Sequence, residues 1–141
     1  MIAGCTQSNS SKITEPKTSN AVHSIDTLCF SRYSGSKNQD TAVVRLIIDG
    51  DKVAGDFSNI PYEKDARIGT ITGVRLNGVI KGIWKYQQEG INDSIPYEFK
   101  LQGDRLLQKE TRYDTKTGRE FLPDTADFNV EFSMTDCQRV G

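Results

Sequence analysis

The chain of 141 residues is long enough for one domain and a terminal segment in addition. Its 18 basic and 19 acidic residues leave a net charge of −1, so no large single-sign field favours nucleic acid or an anionic membrane face as a partner. No apolar run approaches the roughly 18 residues that a membrane-spanning helix needs. We therefore expect any membrane contact to be an anchor.

The first residues carry a short motif that ends at Cys5. Ile2-Ala3-Gly4-Cys5 resembles the lipobox of bacterial lipoproteins, in which an aliphatic and two small residues precede the modified cysteine. The resemblance implies a diacylglycerol on Cys5 and usually a third acyl chain, which hold a protein on a membrane because each buried methylene contributes about 0.8 kcal/mol. Only four residues precede Cys5, so we expect a signal shortened by a late start codon or by trimming. A chance match at an exposed cysteine is the alternative.

The segment that follows is polar. Residues 6–24 are rich in Ser, Thr, Asn and Lys, have no aromatic residue and show neither helical nor strand periodicity. Such a stretch cannot bury enough apolar surface to offset its ordering entropy, which predicts a disordered tether. His23, the only histidine, falls in this tether, so we expect it to have no catalytic or metal role. The predicted organisation is a lipobox remnant and tether over 1–24 and a β-barrel domain over 25–141.

From Ile25 onward apolar residues recur with period two, which is typical of half-buried strands. Ile80, Trp84 and Tyr86, for example, alternate with lysines at 81 and 85. The pattern predicts eight strands, near 26–33, 41–49, 52–58, 68–76, 79–88, 95–102, 105–112 and 127–136. No long helical segment interrupts them.

The connections between these strands differ in length. Asp49-Gly50-Asp51-Lys52, Asn77-Gly78 and Gly103-Asp104 contain residues that accept the positive φ of two-residue hairpin turns. Longer connections are expected near 34–40, 59–67, 89–94 and 113–126. Long and short connections would then alternate strictly, with all tight turns at one end. The predicted fold is all-β, an eight-stranded antiparallel up-and-down meander closed into a barrel, which leaves no exposed sheet edge.

Two cysteines offer a test of closure. Cys29 lies early in the first predicted strand and Cys137 just after the last. Closure makes these strands neighbours, so a disulfide is sterically plausible, and an exported compartment permits one. Two unrelated buried thiols are the alternative.

Candidate binding residues fall in two groups. The long-loop end gathers polar side chains, which suits a binding rim but also suits a solvated turn. The rim candidates are Tyr62, Glu63, Lys64, Asp65, Arg67 and Glu89, with Asn92, Asp93, Asp114, Lys116, Arg119 and Asp124 nearby. The barrel interior is expected to hold large rings that either fill the core or receive one small ligand. These rings are Trp84, Tyr86, Tyr97, Phe99, Phe128 and Phe132.

The sequence offers little for catalysis. Residues 25–141 contain no histidine, so Ser-His and Cys-His pairs are absent, and metal ligands of the usual spacing are absent too. Glu63 with Glu89 could serve acid–base chemistry, but any acidic loop pair looks the same. We predict no enzymatic activity, no metal and no cofactor.

Longer stretches of the domain carry a family resemblance. RLIIDGDKVAGDF, PYEKDARIGTITG and KYQQEGINDSIPYEFKL resemble small uncharacterised lipoproteins of the Bacteroidetes type, over Leu28 to Cys137. The architecture is similar to lipocalin-like (calycin-like) barrels, although the usual Gly-x-Trp near the first strand is missing. The resemblance implies shape and location, without a ligand.

The function predicted from these features is that of a cell-envelope lipoprotein, lipid-anchored on the bacterial outer membrane through Cys5. It would act as a non-enzymatic binding module for a small apolar or amphipathic molecule. The alternative is an envelope protein-interaction or inhibitor module that uses its charged long-loop rim. Membrane-anchored lysozyme inhibitors act in this second way, but the chain has no segment that matches their motif. Nucleic acid is not an expected partner.

Overall fold

The computed structural model describes residues 24–139, in which antiparallel β-structure dominates. The strands in chain order are β1 (Ile25–Ser34), β2 (Asp40–Asp49), β3 (Lys52–Ile60), β4 (Arg67–Leu76), β5 (Val79–Gln88), β6 (Ile91–Gln102), β7 (Arg105–Lys109), β8 (Arg112–Asp114), β9 (Arg119–Phe121) and β10 (Phe128–Thr135). Short 3-10 helices span Ser36–Asn38 and Cys137–Arg139. The predicted tether, with Cys5 and His23, lies outside the described residues. In the described range no helix is long and apolar enough to cross a membrane.

Eight strands close into a barrel in the order β1-β10-β7-β6-β5-β4-β3-β2, and neighbouring strands are antiparallel. This confirms the predicted fold. The seam between the first and last strands is short, because β1 and β10 pair only from Cys29↔Thr135 to Ser31↔Ser133. A disulfide joins Cys29 to Cys137 beside this seam, with Cα atoms 5.1 Å apart. The predicted cysteine pairing is therefore confirmed.

Tight turns connect more strands than the sequence predicted. The three predicted turns are present at Gly50-Asp51, Asn77-Gly78 and Gly103-Asp104. A fourth, Glu89-Gly90, replaces the long loop expected near 89–94, so the prediction of strict alternation was wrong. Both of its residues have positive φ, 52° and 76°, as a two-residue hairpin turn with the twist of its strands requires.

The barrel therefore has two different ends. The end with Gly50-Asp51, Asn77-Gly78 and Gly103-Asp104 is the tight-turn end. The opposite end, the mouth, carries the Glu89-Gly90 turn and the three longer connections, 35–39, 61–66 and 110–127. The last of these is not an open loop, because it contains the small sheet of β8 and β9, paired from Arg112↔Phe121 to Asp114↔Arg119. We call residues 112–121 the mouth hairpin.

The half of the barrel next to the tight turns is filled by its own side chains. Inward residues here are almost wholly buried: Phe30, Leu46, Ile48, Val53, Ile80, Phe99 and Leu106. Close packing of this kind leaves no room for a ligand at this end. Any internal site must lie nearer the mouth.

Phe128 departs from the prediction that it points inward. The pairing of β10 with β7 shifts between Phe128 and Val130, which marks a β-bulge. An extra residue in a strand reverses which side the preceding side chains face. Phe128 pairs with Lys109 and its ring lies near the Nζ atoms of Lys100 and Lys109 on the outside of the barrel.

Candidate ligand-binding site

A pocket of about 340 Å³ occupies the barrel interior at the mouth. Its floor is aromatic, because Phe57, Trp84, Tyr97 and Phe132 line it. The rings of Phe57 and Trp84 stack with centroids 4.1 Å apart, and Trp84 Nε1 donates a hydrogen bond to the Phe57 carbonyl oxygen at 3.0 Å. A ring held by both contacts has little rotational freedom. The floor is therefore a fixed apolar surface.

The walls above this floor are polar. Arg32, Asn59 and Gln108 line the pocket from β1, β3 and β7. Each follows a buried core residue by two positions on a strand that runs towards the mouth, as Arg32 follows Phe30. Since side chains two apart share one face of a strand, these groups continue the inward face beyond the core. The pocket thus changes from apolar to polar along the barrel axis.

Arg67 is the most highly connected wall residue. Its guanidinium carbon lies 4.7 Å from the centroid of the Tyr86 ring, a cation–π distance. Its Nε donates to Gln88 Oε1 at 3.1 Å, and its Nη1 donates to Glu120 Oε1 at 2.7 Å. The cation is thereby fixed on three sides, and it joins the barrel wall to the mouth hairpin.

The mouth hairpin covers part of the opening. Glu120 lines the pocket from β9, and its other carboxylate oxygen accepts a hydrogen bond from Thr111 Oγ1. Arg119 on the same strand lies 3.6 Å from Asp93 Oδ1 on β6. The hairpin turn is closed locally, since Gly118 N donates to the Asp114 carbonyl oxygen at 2.8 Å. The hairpin therefore forms part of the border of the pocket opening.

The predicted rim residues separate into two locations. Glu63, Lys64 and Asp65 line an open depression of about 610 Å³ at the mouth, which shares Arg67 and Glu120 with the pocket. Tyr62 belongs to the same loop, and its backbone N–H donates to Asp40 Oδ1 at 2.7 Å. Its side chain is exposed. Glu89 lies apart from this depression, solvent-exposed in the Glu89-Gly90 turn.

The aromatic residues predicted to lie inside the barrel also occupy more than one location. Trp84 and Tyr97 line the mouth pocket, whereas Phe99 lies deeper in the filled half of the barrel. Tyr86 packs between Trp84, with ring centroids 4.8 Å apart, and Arg67. Burial raises the pKa of Tyr86, an effect that Arg67 opposes and Asp93 reinforces.

Tyr97 has an unusual hydroxyl. The residue is buried, and its Oη has no hydrogen-bond partner within the described part of the chain. Burial raises the Tyr97 pKa to about 12. The Oη atom lies so close to Gly73 that a Cβ there would be 2.7 Å away. Glycine at 73 therefore gives the ring its space.

Sequence reasoning missed Arg32, Asn59, Gln108 and Glu120 as pocket residues. The first three could have been found by extending the inward alternation one step past each core residue. Glu120 could not, because its placement depends on the mouth hairpin. Within residues 24–139 no cluster of three or more His, Cys, Asp or Glu side chains could hold a metal ion.

Comparisons with known proteins identify no relative. No protein-family model, no curated protein and no solved structure matches the chain.

Proposed function

We propose that this protein is a non-enzymatic binding module that holds one small amphipathic molecule in the mouth pocket. The supporting observation is a cavity of about 340 Å³ with an aromatic floor and polar walls. This volume lies within the roughly 300–1,000 Å³ range of small-molecule sites, which are mostly apolar with a few oriented polar groups. The apolar part of the ligand would rest on Trp84 and Phe132, and its polar part would face Arg32, Asn59 and Gln108.

The chain provides its own reporter for a test. Trp84 is the only tryptophan, so energy transfer from it to a bound dye reports occupancy of the pocket floor. The probe is anilinonaphthalene sulfonate, an aromatic anion with an apolar and a polar side. We expect saturable dye binding with quenching of Trp84 fluorescence.

Two variants on one strand distinguish pocket binding from surface binding. Ala42 lines the pocket and is buried, whereas Val43, its neighbour, faces the outside of the barrel. Ala42→Leu should fill the cavity and abolish dye binding, and Val43→Leu should leave it unchanged. Thermal unfolding of both variants verifies that they fold. Equal dye binding by the two folded variants would rule out the pocket as the site.

We also propose that the module is a lipocalin-like lipoprotein of the bacterial cell envelope, anchored on the outer membrane by acylated Cys5. The lipobox-like Ile2-Ala3-Gly4-Cys5 supports this, as does the Cys29–Cys137 disulfide, because disulfides persist in oxidising compartments. Expression behind a complete lipoprotein signal with labelled palmitate should label the protein, and Cys5→Ser should abolish the label. An unlabelled parent protein would contradict the anchor.

A second candidate function is protein interaction through the charged rim. The depression lined by Glu63, Lys64, Asp65 and Arg67 supports this candidate. Replacement of Glu63, Lys64 and Asp65 by alanine separates the two functions. The triple variant should retain dye binding if the pocket is the functional site. It should lose capture of an envelope protein if the rim is the functional site.

A further inference from the structure

The outer surface of the barrel carries an exposed apolar groove that shares no lining residue with the mouth pocket. Val74, Leu76, Val79 and Phe128 line it, and its volume is about 500 Å³. Leu76 is 72% exposed and Val74 is 56% exposed. Outward positions of a half-solvated sheet are ordinarily polar, and contiguous apolar patches mark interaction sites. We call these four residues the outer groove.

The β-bulge in β10 places Phe128 in this groove. With unbroken alternation Phe128 would share the inward face of Val130 and Phe132, and the bulge turns it outwards. Its ring is then covered by lysines, with Lys109 Nζ 5.6 Å and Lys100 Nζ 5.9 Å from the ring centroid. Bulges recur where a strand must redirect one side chain. The β-bulge thus places an apolar ring next to two lysines on the outer surface.

Charge is unevenly distributed around the outer groove. Lys81, Lys100 and Lys109 surround it, and the carboxylate among them, Glu98, is neutralised by Lys109 at 3.2 Å. Within residues 24–139 no carboxylate lies within ion-pair distance of Lys81 or Lys100. The whole chain has a net charge of −1, so this face is a local cationic excess. It complements an anionic partner.

The chain enters the barrel at the tight-turn end, three strands away from Val74 of the outer groove. Ile25 pairs with Asp49, Asp49 with Lys52, and Lys52 with Val74. Ile25 and Val74 therefore lie in one cross-strand row near the tight-turn end. Residues 6–24 can span at most about 65 Å when fully extended. A lipid on Cys5 and the outer groove can accordingly reach one bilayer.

We propose that the outer groove and its lysines dock on a bilayer that contains anionic lipids. The apolar side chains would enter the boundary between headgroups and acyl chains, and Lys81 and Lys100 would contact lipid phosphates, as amphipathic surface elements do. A second copy of the chain fits less well, because two-fold pairing through this face would bring lysines against lysines. That a lipid on Cys5 and the outer groove contact the same bilayer rests on the proposed Cys5 anchor. The apolar and cationic character of the groove does not depend on that anchor.

Vesicle sedimentation of the unlipidated full chain tests the proposal independently of the anchor and of the pocket. The protein carries Cys5→Ser, and the vesicles are phosphatidylcholine with or without phosphatidylglycerol. We expect binding to the phosphatidylglycerol vesicles that weakens with added salt. Leu76→Asn should reduce this binding roughly tenfold because an apolar anchor is lost. Lys81→Gln should reduce it about fivefold because a lysine contact is lost.

Ile91→Asn is the matched control, since Ile91 is similarly exposed but lies at the mouth. It should bind vesicles as the parent protein does. Absence of vesicle binding, or equal binding by the Leu76 and Ile91 variants, would overturn the proposal. So would light scattering that shows a dimer dissociated by Leu76→Asn. Dye binding in the mouth pocket should be the same in all these variants, so failure here leaves the pocket proposal standing.

Discussion

Arg67 Nη1 on β4 and Glu120 Oε1 on β9 are 2.7 Å apart, and this pair joins the barrel wall to the mouth hairpin. Both side chains are mostly buried. The same Glu120 carboxylate also accepts the Thr111 hydroxyl. Glu120 is thus bonded both to the wall and to the residue just before the hairpin, so its charge should govern how often the hairpin opens.

Replacement of Glu120 by glutamine should loosen the mouth hairpin. Loss of the carboxylate weakens a charge-assisted hydrogen bond, and we expect backbone amides in residues 112–121 to exchange about tenfold faster. Hydrogen–deuterium exchange read by mass spectrometry measures this. Asp93→Asn weakens the longer contact to Arg119 and keeps a side-chain oxygen for the Ser94 N–H, so it should produce a smaller change. Unaltered exchange in Glu120→Gln would show that other contacts hold the hairpin.

Removal of the Cys29–Cys137 disulfide should destabilise the barrel strongly. The two cysteines are 108 residues apart, and closing a loop of that length stabilises by roughly 4–5 kcal/mol in the chain-entropy model. Urea unfolding of the Cys29→Ala, Cys137→Ala double variant should show this loss, and a reductant should reproduce it in the parent. Cys5→Ser is the control and should leave the midpoint unchanged. A midpoint insensitive to reductant would contradict this expectation.

Removal of one partner from the Lys109–Glu98 pair should cost more stability than removal of one partner from the exposed Arg45–Asp56 pair. Its side chains are only 11% and 14% exposed, and Lys109 also donates to the Asp124 carbonyl oxygen at 3.1 Å. Lys109→Met leaves a largely buried carboxylate without a partner, and we expect a loss of about 2–4 kcal/mol.

The comparison for this variant is Arg45→Met. The Arg45–Asp56 pair is 43% and 47% exposed, so its loss should cost about 0–1 kcal/mol. Urea unfolding of the two single variants gives the difference. Equal losses would mean that burial does not distinguish the two pairs.

Tyr97 should make the barrel sensitive to alkali. Its pKa is about 12 in the folded protein against an ordinary value of 10.0, so the unfolded chain releases the proton first. The stability associated with the neutral phenol is present below pH 10 and is lost as the pH rises towards 12. A shift of this size corresponds to about 2–3 kcal/mol.

Tyr97→Phe tests this alkaline loss. Near neutral pH it should be neutral or stabilising, because it removes a buried hydroxyl without a partner. Between pH 10 and 12 it should lose less stability than the parent. Chemical unfolding across this range measures both effects, and parallel pH profiles would exclude Tyr97 as the cause.

Much of the barrel was predictable because period-two alternation identifies strands and a cysteine pair tests closure. The predictions were wrong where the alternation of apolar and polar residues does not show where the chain turns or which face a side chain takes. Glu89-Gly90 looked like part of a polar loop, although both residues accept the positive φ of a turn. The bulge before Val130 leaves no mark in the alternation, so Phe128 was assigned to the wrong face.

The pocket was less predictable than the fold for a related reason. Inward polar residues such as Arg32 and Gln108 have the composition of outward residues, and only their spacing from the core separates them. The rim residues were predicted from their charge, and charge does not show whether a loop side chain faces the pocket. Glu63 and Lys64 line the open depression and not the pocket. Glu120 lines both, from a hairpin whose packing is a tertiary effect.

Both ends of the described chain leave the barrel at its tight-turn end. β1 starts there, since Ile25 pairs with Asp49 beside the Gly50-Asp51 turn, and Cys137 is bonded to Cys29 at the same seam. A fusion partner or a sensor surface joined directly at residue 24 or residue 139 would accordingly lie at the end opposite the mouth. Attachment at these two points in a ligand screen would therefore not block the entrance that the screen is meant to probe.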